Sequence, residues 1–356
     1  MRFFSRLALL SLLLSLPAWS QTPKLGGNSS YSGNLTVNAN GVRLDTDARG
    51  PARVTLPQLD VAARSIALDR KGNAPPTQIR AVGSVNFKLN VTPTGGTPTR
   101  VEATCDNATL TPRPLKLVLR GNLKGFYQVA GGARNTLAGD TATFTNTGGN
   151  LIADLTGGVT LVVPAQTLGQ EGVLGEVTIS AQRAQINENS GTATFAGNAR
   201  AVSSGGTNAF DVSAPRFTLT RAADNSISSL QTIGRTLVKL DLPPDPAPAT
   251  PAAAPAAAPA TGIRAVGQPT HVEVAADGAI LEPASSKRAS SIATFDGNVK
   301  GFYRLTQGAA PQNYDFVGTR AVIRYAPTRG QANALAGFNL EVSDATVGGP
   351  PFDLEF

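Results

Sequence analysis

From Leu35 onward, apolar and polar residues alternate, and the alternation continues through glycines that would end an ordinary strand. A period of two belongs to a half-buried β-strand, whose successive side chains point to opposite faces. The pattern is clearest in three places where it crosses a Gly-Asn pair. These are Leu119-Arg120-Gly121-Asn122-Leu123-Lys124-Gly125-Phe126-Tyr127, Phe195-Ala196-Gly197-Asn198-Ala199-Arg200, and Phe295-Asp296-Gly297-Asn298-Val299-Lys300-Gly301-Phe302-Tyr303. The first and third agree closely enough to read as a duplication. Long helical patterns are missing. The best helix candidate by composition, Pro243 to Ala260, is ruled out by its prolines. The chain is therefore expected to be all-β, with long strands that bulge or bend where the glycines fall.

Parity sorts the residues of these strands into two faces. In the third copy Ala293, Phe295, Gly297, Val299, Gly301, Tyr303 and Leu305 share one face. Thr294, Asp296, Asn298, Lys300, Phe302 and Arg304 share the other. The first copy sorts the same way, with Leu117, Leu119, Leu123, Tyr127 and Val129 opposite Arg120, Asn122 and Lys124. A second recurring unit is apolar-x-Ala/Thr-apolar-Gly, at Ile79–Gly83, Leu230–Gly234 and Ile263–Gly267. Ile66–Arg70 and Phe217–Arg221 precede the first two copies by the same interval, with turn-forming residues between. Each of these reads as a strand, a turn and a return strand.

The chain opens with two arginines, Arg2 and Arg6, then an apolar run from Leu7 to Leu16, then Ala18-Trp19-Ser20. This is the three-part pattern of a secretory signal peptide, with cleavage expected after Ser20. The apolar run is short of the roughly 20 residues that span a bilayer. Export without cystines follows from the single Cys105, which reads as a buried small hydrophobe, so core and ladders must hold the fold. Removing Arg2 and Arg6 with the leader leaves 29 basic against 24 acidic residues, a net charge of +5. That mild surplus suits an anionic glycolipid or membrane surface, and equally plain solubility. Basic stripes interleaved with aromatics are absent, so no nucleic-acid partner is expected. The Pro243–Ala260 stretch is a semi-rigid spacer with a reach of about 55 Å. It either separates two domains or makes a long excursion between two strands of one sheet.

The residues of catalysis are scarce. His271 is the one histidine, and no nucleophile-elbow sequence accompanies it. A lone strand histidine is usually a surface or satisfied residue. Cys/His metal sites fail on count. Gly205-Gly206 is a turn and not a phosphate loop, because no helix follows. The sequence thus predicts no catalytic residues, no metal site and no cofactor.

Val177 to Leu219 resembles the OstA-like repeat of the periplasmic lipopolysaccharide-transport bridge proteins. The matching places are Ser180-Ala181-Gln182-Arg183-Ala184, Ser190-Gly191 and Phe195-Ala196-Gly197-Asn198, and the Gly-Asn copies at 121 and 297 extend the pattern. The resemblance implies a β-jellyroll of two facing antiparallel sheets built from strand-turn-strand units, whose apolar interior holds acyl chains. On that reading residues 1–20 are the leader and 21–242 a first jellyroll region. Residues 243–260 are then a linker and 261–356 a second, partial region. The candidate lipid-groove lining is Leu119, Leu123, Tyr127, Phe195, Phe295, Val299 and Tyr303. The implied partners are lipopolysaccharide or a similar amphipathic envelope lipid, and other jellyroll envelope proteins stacking on exposed strand edges. The implied place is the periplasm, in association with the outer membrane. The rival readings are a structural or adhesin-like envelope module without cargo, and a carbohydrate-active enzyme on a β-helix.

Overall fold

The computed structural model describes residues 30–38, 41–48, 50–55, 59–69, 77–91, 99–112, 114–129, 131–147, 150–164, 175–187, 189–204, 209–221, 227–241, 269–282, 291–307, 310–325 and 339–344. The leader, the Pro-Ala stretch and the third apolar-x-Ala-apolar-Gly copy lie outside them. Every regular element among the described residues is a strand, and the paired ladders are antiparallel, so the expected all-β jellyroll is what the chain forms. The described residues divide into two units. The first comprises residues 1–169 and 179–195, the second 170–178 and 196–356.

The first unit is organised by five long strands: β7 (Gln78–Val91), β8 (Thr99–Pro112), β9 (Leu115–Val129), β10 (Arg134–Thr147) and β11 (Asn150–Val163). They form one continuous ladder in chain order, broken at mid-length by a shift of register. Six short strands precede them: β1 (Ser30–Ser32), β2 (Asn34–Asn38), β3 (Gly41–Asp45), β4 (Ala52–Thr55), β5 (Leu59–Ala63) and β6 (Ser65–Asp69). The first half of β7 pairs with β6, which continues to β3 and β2. The second half pairs with β5, which continues to β4 and β1. One set of long strands thus serves two half-sheets, which fold toward each other along the line of the register shifts.

That line is built by left-handed residue pairs, Gly83-Ser84 on β7, Gly121-Asn122 on β9 and Gly157-Gly158 on β11, and the Gly-Asn form recurs at 197 and 297. Gly121 and Asn122 have φ of +80° and +49°, Gly197 and Asn198 +81° and +51°, and Gly297 and Asn298 +76° and +47°. Two consecutive residues in this left-handed region turn the strand sharply, and L-residues other than Asn, Asp and Gly rarely enter it. Because two residues are consumed at each turn, side-chain parity is the same before and after it. At Gly297-Asn298, Thr319 alone stands opposite the pair in the facing strand. The glycines carry a second requirement. A Cβ on Gly121, Gly157 or Gly297 would collide with the carboxyl group of Asp106, Asp140 or Asp277 on the neighbouring chain segment. The amide Nδ2 of Asn122 donates to Asp106 Oδ2 at 3.0 Å, and that of Asn298 to Asp277 Oδ2 at 2.6 Å. Left-handed Gly, left-handed Asn and a facing Asp form one corner unit.

β12 (Glu176–Asn187) spans the boundary between the units, and so does β13 (Thr192–Ser204). The second unit repeats the corner plan. β14 (Ala209–Arg221) gives its first half to β16 (Thr236–Asp241) and its second half to β15 (Ile227–Ile233). The hairpin expected from Phe217–Arg221 and Leu230–Gly234 is this β14–β15 ladder, with Leu219 opposite Leu230. β17 (Pro269–Ala276) and β18 (Gly278–Glu282) pair with opposite halves of β19 (Ser291–Gln307). β20 (Ala310–Tyr325) and β21 (Asn339–Ser343) complete the unit. β16 pairs directly with β17, Asp241 opposite His271, so strands from both sides of the Pro-Ala stretch share one ladder.

Replacing Gly121 or Gly297 by Ala should cost roughly 1–3 kcal/mol, the scale of strain at a disfavoured backbone conformation. A lowered urea midpoint with unchanged slope would show it; Gly278, outside the left-handed region and with only an ordinary contact at 3.7 Å, is the contrasting position. Cys105 lies buried beside the β8 corner, where its Sγ–H donates to the Asn107 carbonyl at 3.2 Å. Burial pushes its thiol up to about 11. A thiol that stays protonated is a poor nucleophile. Thiol reagents should therefore label Cys105 only after unfolding, as titration with a chromogenic disulfide would reveal.

Candidate functional site

The inner faces of the half-sheets are rows of directly opposed apolar residues. One row crosses the first unit as Leu35, Leu44, Ile66, Ala81, Ala108, Leu119, Ala142 and Leu155. A second runs Val37, Val42, Leu68, Ile79, Leu110, Leu117, Phe144 and Ala153. The other half-sheet contributes Val54, Val61, Phe87, Ala103, Gly125, Leu137 and Leu161. Opposed residues on one face sit close enough for their side chains to touch, so each row is a continuous apolar strip.

The strips are covered along most of their length and uncovered at one end. Leu44, Ile66, Leu119 and Leu155 are buried. Leu35 and Val37, at the β2 end of the first two rows, are 62% and 58% exposed. They point to the same side as their ladder partners Leu44 and Val42, so the apolar interior reaches solvent at this edge.

The sequence-derived lining residues fall in two places. Leu119 and Leu123 are buried in the first unit on either side of the β9 corner, and Phe195 is buried there on β13. Phe295, Val299 and Tyr303 are buried in the second unit on β19. The backbone of Tyr127 pairs with Val101 and Asn135, while its side chain lies outside those described. The parity read from the sequence holds on both sides of each Gly-Asn corner.

In the second unit side chains pack closely across the inner face. Gly301 stands in a row with Val274 and Phe316, and the Phe316 ring occupies the space that a Cβ on Gly301 would need. Tyr303 stacks on Tyr314 with ring centroids 5.1 Å apart, and burial raises its hydroxyl above the ordinary tyrosine range. Phe316, Phe217 and Phe87 are large buried residues that the Gly-Asn motifs do not single out. Phe217 belongs to the recurring strand-turn-strand unit, and strand alternation alone marks Phe316 and Phe87.

Polar chemistry is confined to the outer faces and a few interior atoms. His271 lies on the outer face, its Nδ1 2.6 Å from Asp241 Oδ1 and its Nε2 3.7 Å from Glu273 Oε2. Lys239 Nζ reaches the same Glu273 oxygen at 3.1 Å. The cluster is a set of mutual polar contacts, with Lys239 and Glu273 as its ion pair, consistent with the expectation of a satisfied histidine. Among the described residues no group of three His, Cys, Asp or Glu side chains is placed to hold a metal ion. In the first unit's interior, Asn135 is 3% exposed and its Oδ1 has no hydrogen-bond partner among the described residues.

No protein-family model matches the chain. No curated protein matches it either. Among solved structures it is similar to LptH from Pseudomonas aeruginosa, the LptA-homologous periplasmic component of the lipopolysaccharide transport device. The two are 12% identical, the match covers 35% of this chain and 80% of that one, and the TM-score is 0.27. A likeness of that size says nothing about what this chain binds.

An unpaired acceptor in an apolar interior costs about 1–3 kcal/mol. Replacing Asn135 by Leu should therefore raise stability by about 1 kcal/mol, the low end of that range, seen as a higher urea midpoint.

Proposed function

We propose that this protein is an exported carrier or scaffold that binds the acyl chains of an amphipathic envelope lipid between its half-sheets. The observation that carries the reading is the unsealed edge: two apolar strips run from a buried interior to Leu35 and Val37, both mostly exposed. An acyl chain laid along such a strip gains about 0.8 kcal/mol for each methylene taken from water. No bond need be made or broken, and the protein is read as a binding protein and not as an enzyme. Lipopolysaccharide or a comparable glycolipid is the proposed cargo and the periplasm the proposed place, on the strength of the leader pattern and the OstA-like repeats. Stacking of similar domains on open strand edges is the proposed mode of assembly.

The second reading, an envelope module without cargo, draws on the second unit. Its inner face is filled by its own side chains, Phe316 against Gly301 among them. Lipid binding is accordingly assigned to the first unit.

Protein purified without detergent, extracted with organic solvent and analysed by mass spectrometry should yield stoichiometric acyl lipid. Lipid-free protein from such a preparation would remove the proposal. In the double variant Leu35→Glu/Val37→Glu the lipid content should fall about fivefold or more, since charges are expensive beside a buried alkyl chain. The unfolding midpoint should hold, because both side chains are already largely in water.

A further inference from the structure

We propose that the outer face of the β7–β11 half-sheet is a seat for a phosphorylated saccharide headgroup. A groove of about 400 Å³ crosses these strands, lined among others by Asn86, Glu102, Thr104, Lys124, Phe126 and Thr136. Strand parity places these six side chains on the outer face, away from the apolar strips. An aromatic ring, threonine methyls and a few polar groups suit a sugar, which presents C–H faces and hydroxyl edges together.

The charge on this face is unbalanced. Arg134 lies over the Phe126 ring with its guanidinium carbon 4.6 Å from the centroid, and Arg100 lies at 6.0 Å from the same centroid. The ring holds two cations side by side. Glu102 takes Arg100 and, at 3.7 Å, Lys88. No carboxylate pairs with Lys124 or Arg134 among the described residues, and both are exposed. Lys124 stands two residues before Phe126 on β9, with Thr136 directly opposite Phe126. A dianionic phosphate is the complement of a fixed guanidinium and a nearby ammonium.

The duplicated strand supplies the contrast. Phe302 is the counterpart of Phe126, in the same Gly-Phe-Tyr sequence and on the same outer parity. In each copy a glutamate stands opposite on one neighbouring strand, Glu102 to Phe126 and Glu273 to Phe302; on the other neighbour Thr136 faces Phe126 where Asp315 faces Phe302, and the His271 ring lies 5.6 Å from the Phe302 ring. Lys239, Glu273, His271 and Asp241 pair with one another. The same strand motif therefore carries a charge-balanced surface in the second unit and an open cationic one in the first.

The inference deepens the lipid reading, since a phosphorylated sugar would stay outside while acyl chains lie within, and it is tested separately. Full-length protein lacking the leader is titrated calorimetrically with glucosamine 6-phosphate, glucosamine, inorganic phosphate and vesicles of phosphatidylglycerol. Glucosamine 6-phosphate should bind at least about tenfold more tightly than glucosamine or inorganic phosphate. The Lys124→Ala/Arg134→Ala variant should lose about tenfold of that affinity, and Lys300→Ala on the balanced face should lose none. Equal binding of inorganic phosphate, binding to the vesicles alone, or an unaffected double variant would overturn the seat. Acyl lipid measured on the same preparations keeps the two proposals apart. Lipid-loaded protein that ignores the phosphosugar sinks only the seat, and lipid-free protein that binds it sinks only the interior cargo site.

Discussion

The fold depends on a steric and electrostatic fit at its corners. A strand of 14 to 17 residues serves two half-sheets only if it turns at mid-length without losing its ladder. Gly in the left-handed region makes the turn, Asn follows it into that region, and an Asp from the neighbouring segment fills the place a Cβ would take. The Asn amide then bonds that Asp. Left-handed pairs on alternate strands, Gly83-Ser84, Gly121-Asn122 and Gly157-Gly158, draw the corners into a line, and the line sets which residues face each other across the interior. The inner strips, the outer groove and the unsealed β2 edge all follow from it.

Much of this was legible in the sequence because both halves of the device are local. Period-two alternation gives the face of each residue, and Gly-Asn gives the position of each turn. The partner aspartates were not legible. Asp106 lies 16 residues from Asn122 and Asp277 lies 21 from Asn298, and only register brings them together. Register also decides that Leu35 and Val37 end a strip instead of joining its middle. Nothing in Asn34-Leu35-Thr36-Val37-Asn38 distinguishes an edge strand from an interior one. Phe316 was missed for a related reason: it fills the space left by Gly301 on another strand, and a glycine in sequence does not announce what occupies its vacancy. The described members of the candidate lining fall in two units, a division that motif similarity alone does not show.

The two Gly-Phe-Tyr strands show how a duplicated element can keep its backbone and change its surface. Corner and inner face are bound by sterics and burial, and they agree between the copies. The outer face answers only to solvent and to neighbours on the same side, so its charges differ between the copies: a balanced cluster around His271 and an unbalanced one around Phe126.

The direct pairing of β16 with β17 has a consequence for how the chain tolerates change. Asp241 and His271 are opposed in the ladder although the whole Pro-Ala stretch lies between them in sequence. The cost of closing a loop grows with the logarithm of its length, about 0.6 kcal/mol for each doubling. The ladder fixes where the connection must start and finish and leaves its length nearly free. Between these two strands the chain has a natural insertion point, where evolution or an engineer can add a tether, a tag or a whole domain at little cost to the sheet that carries it.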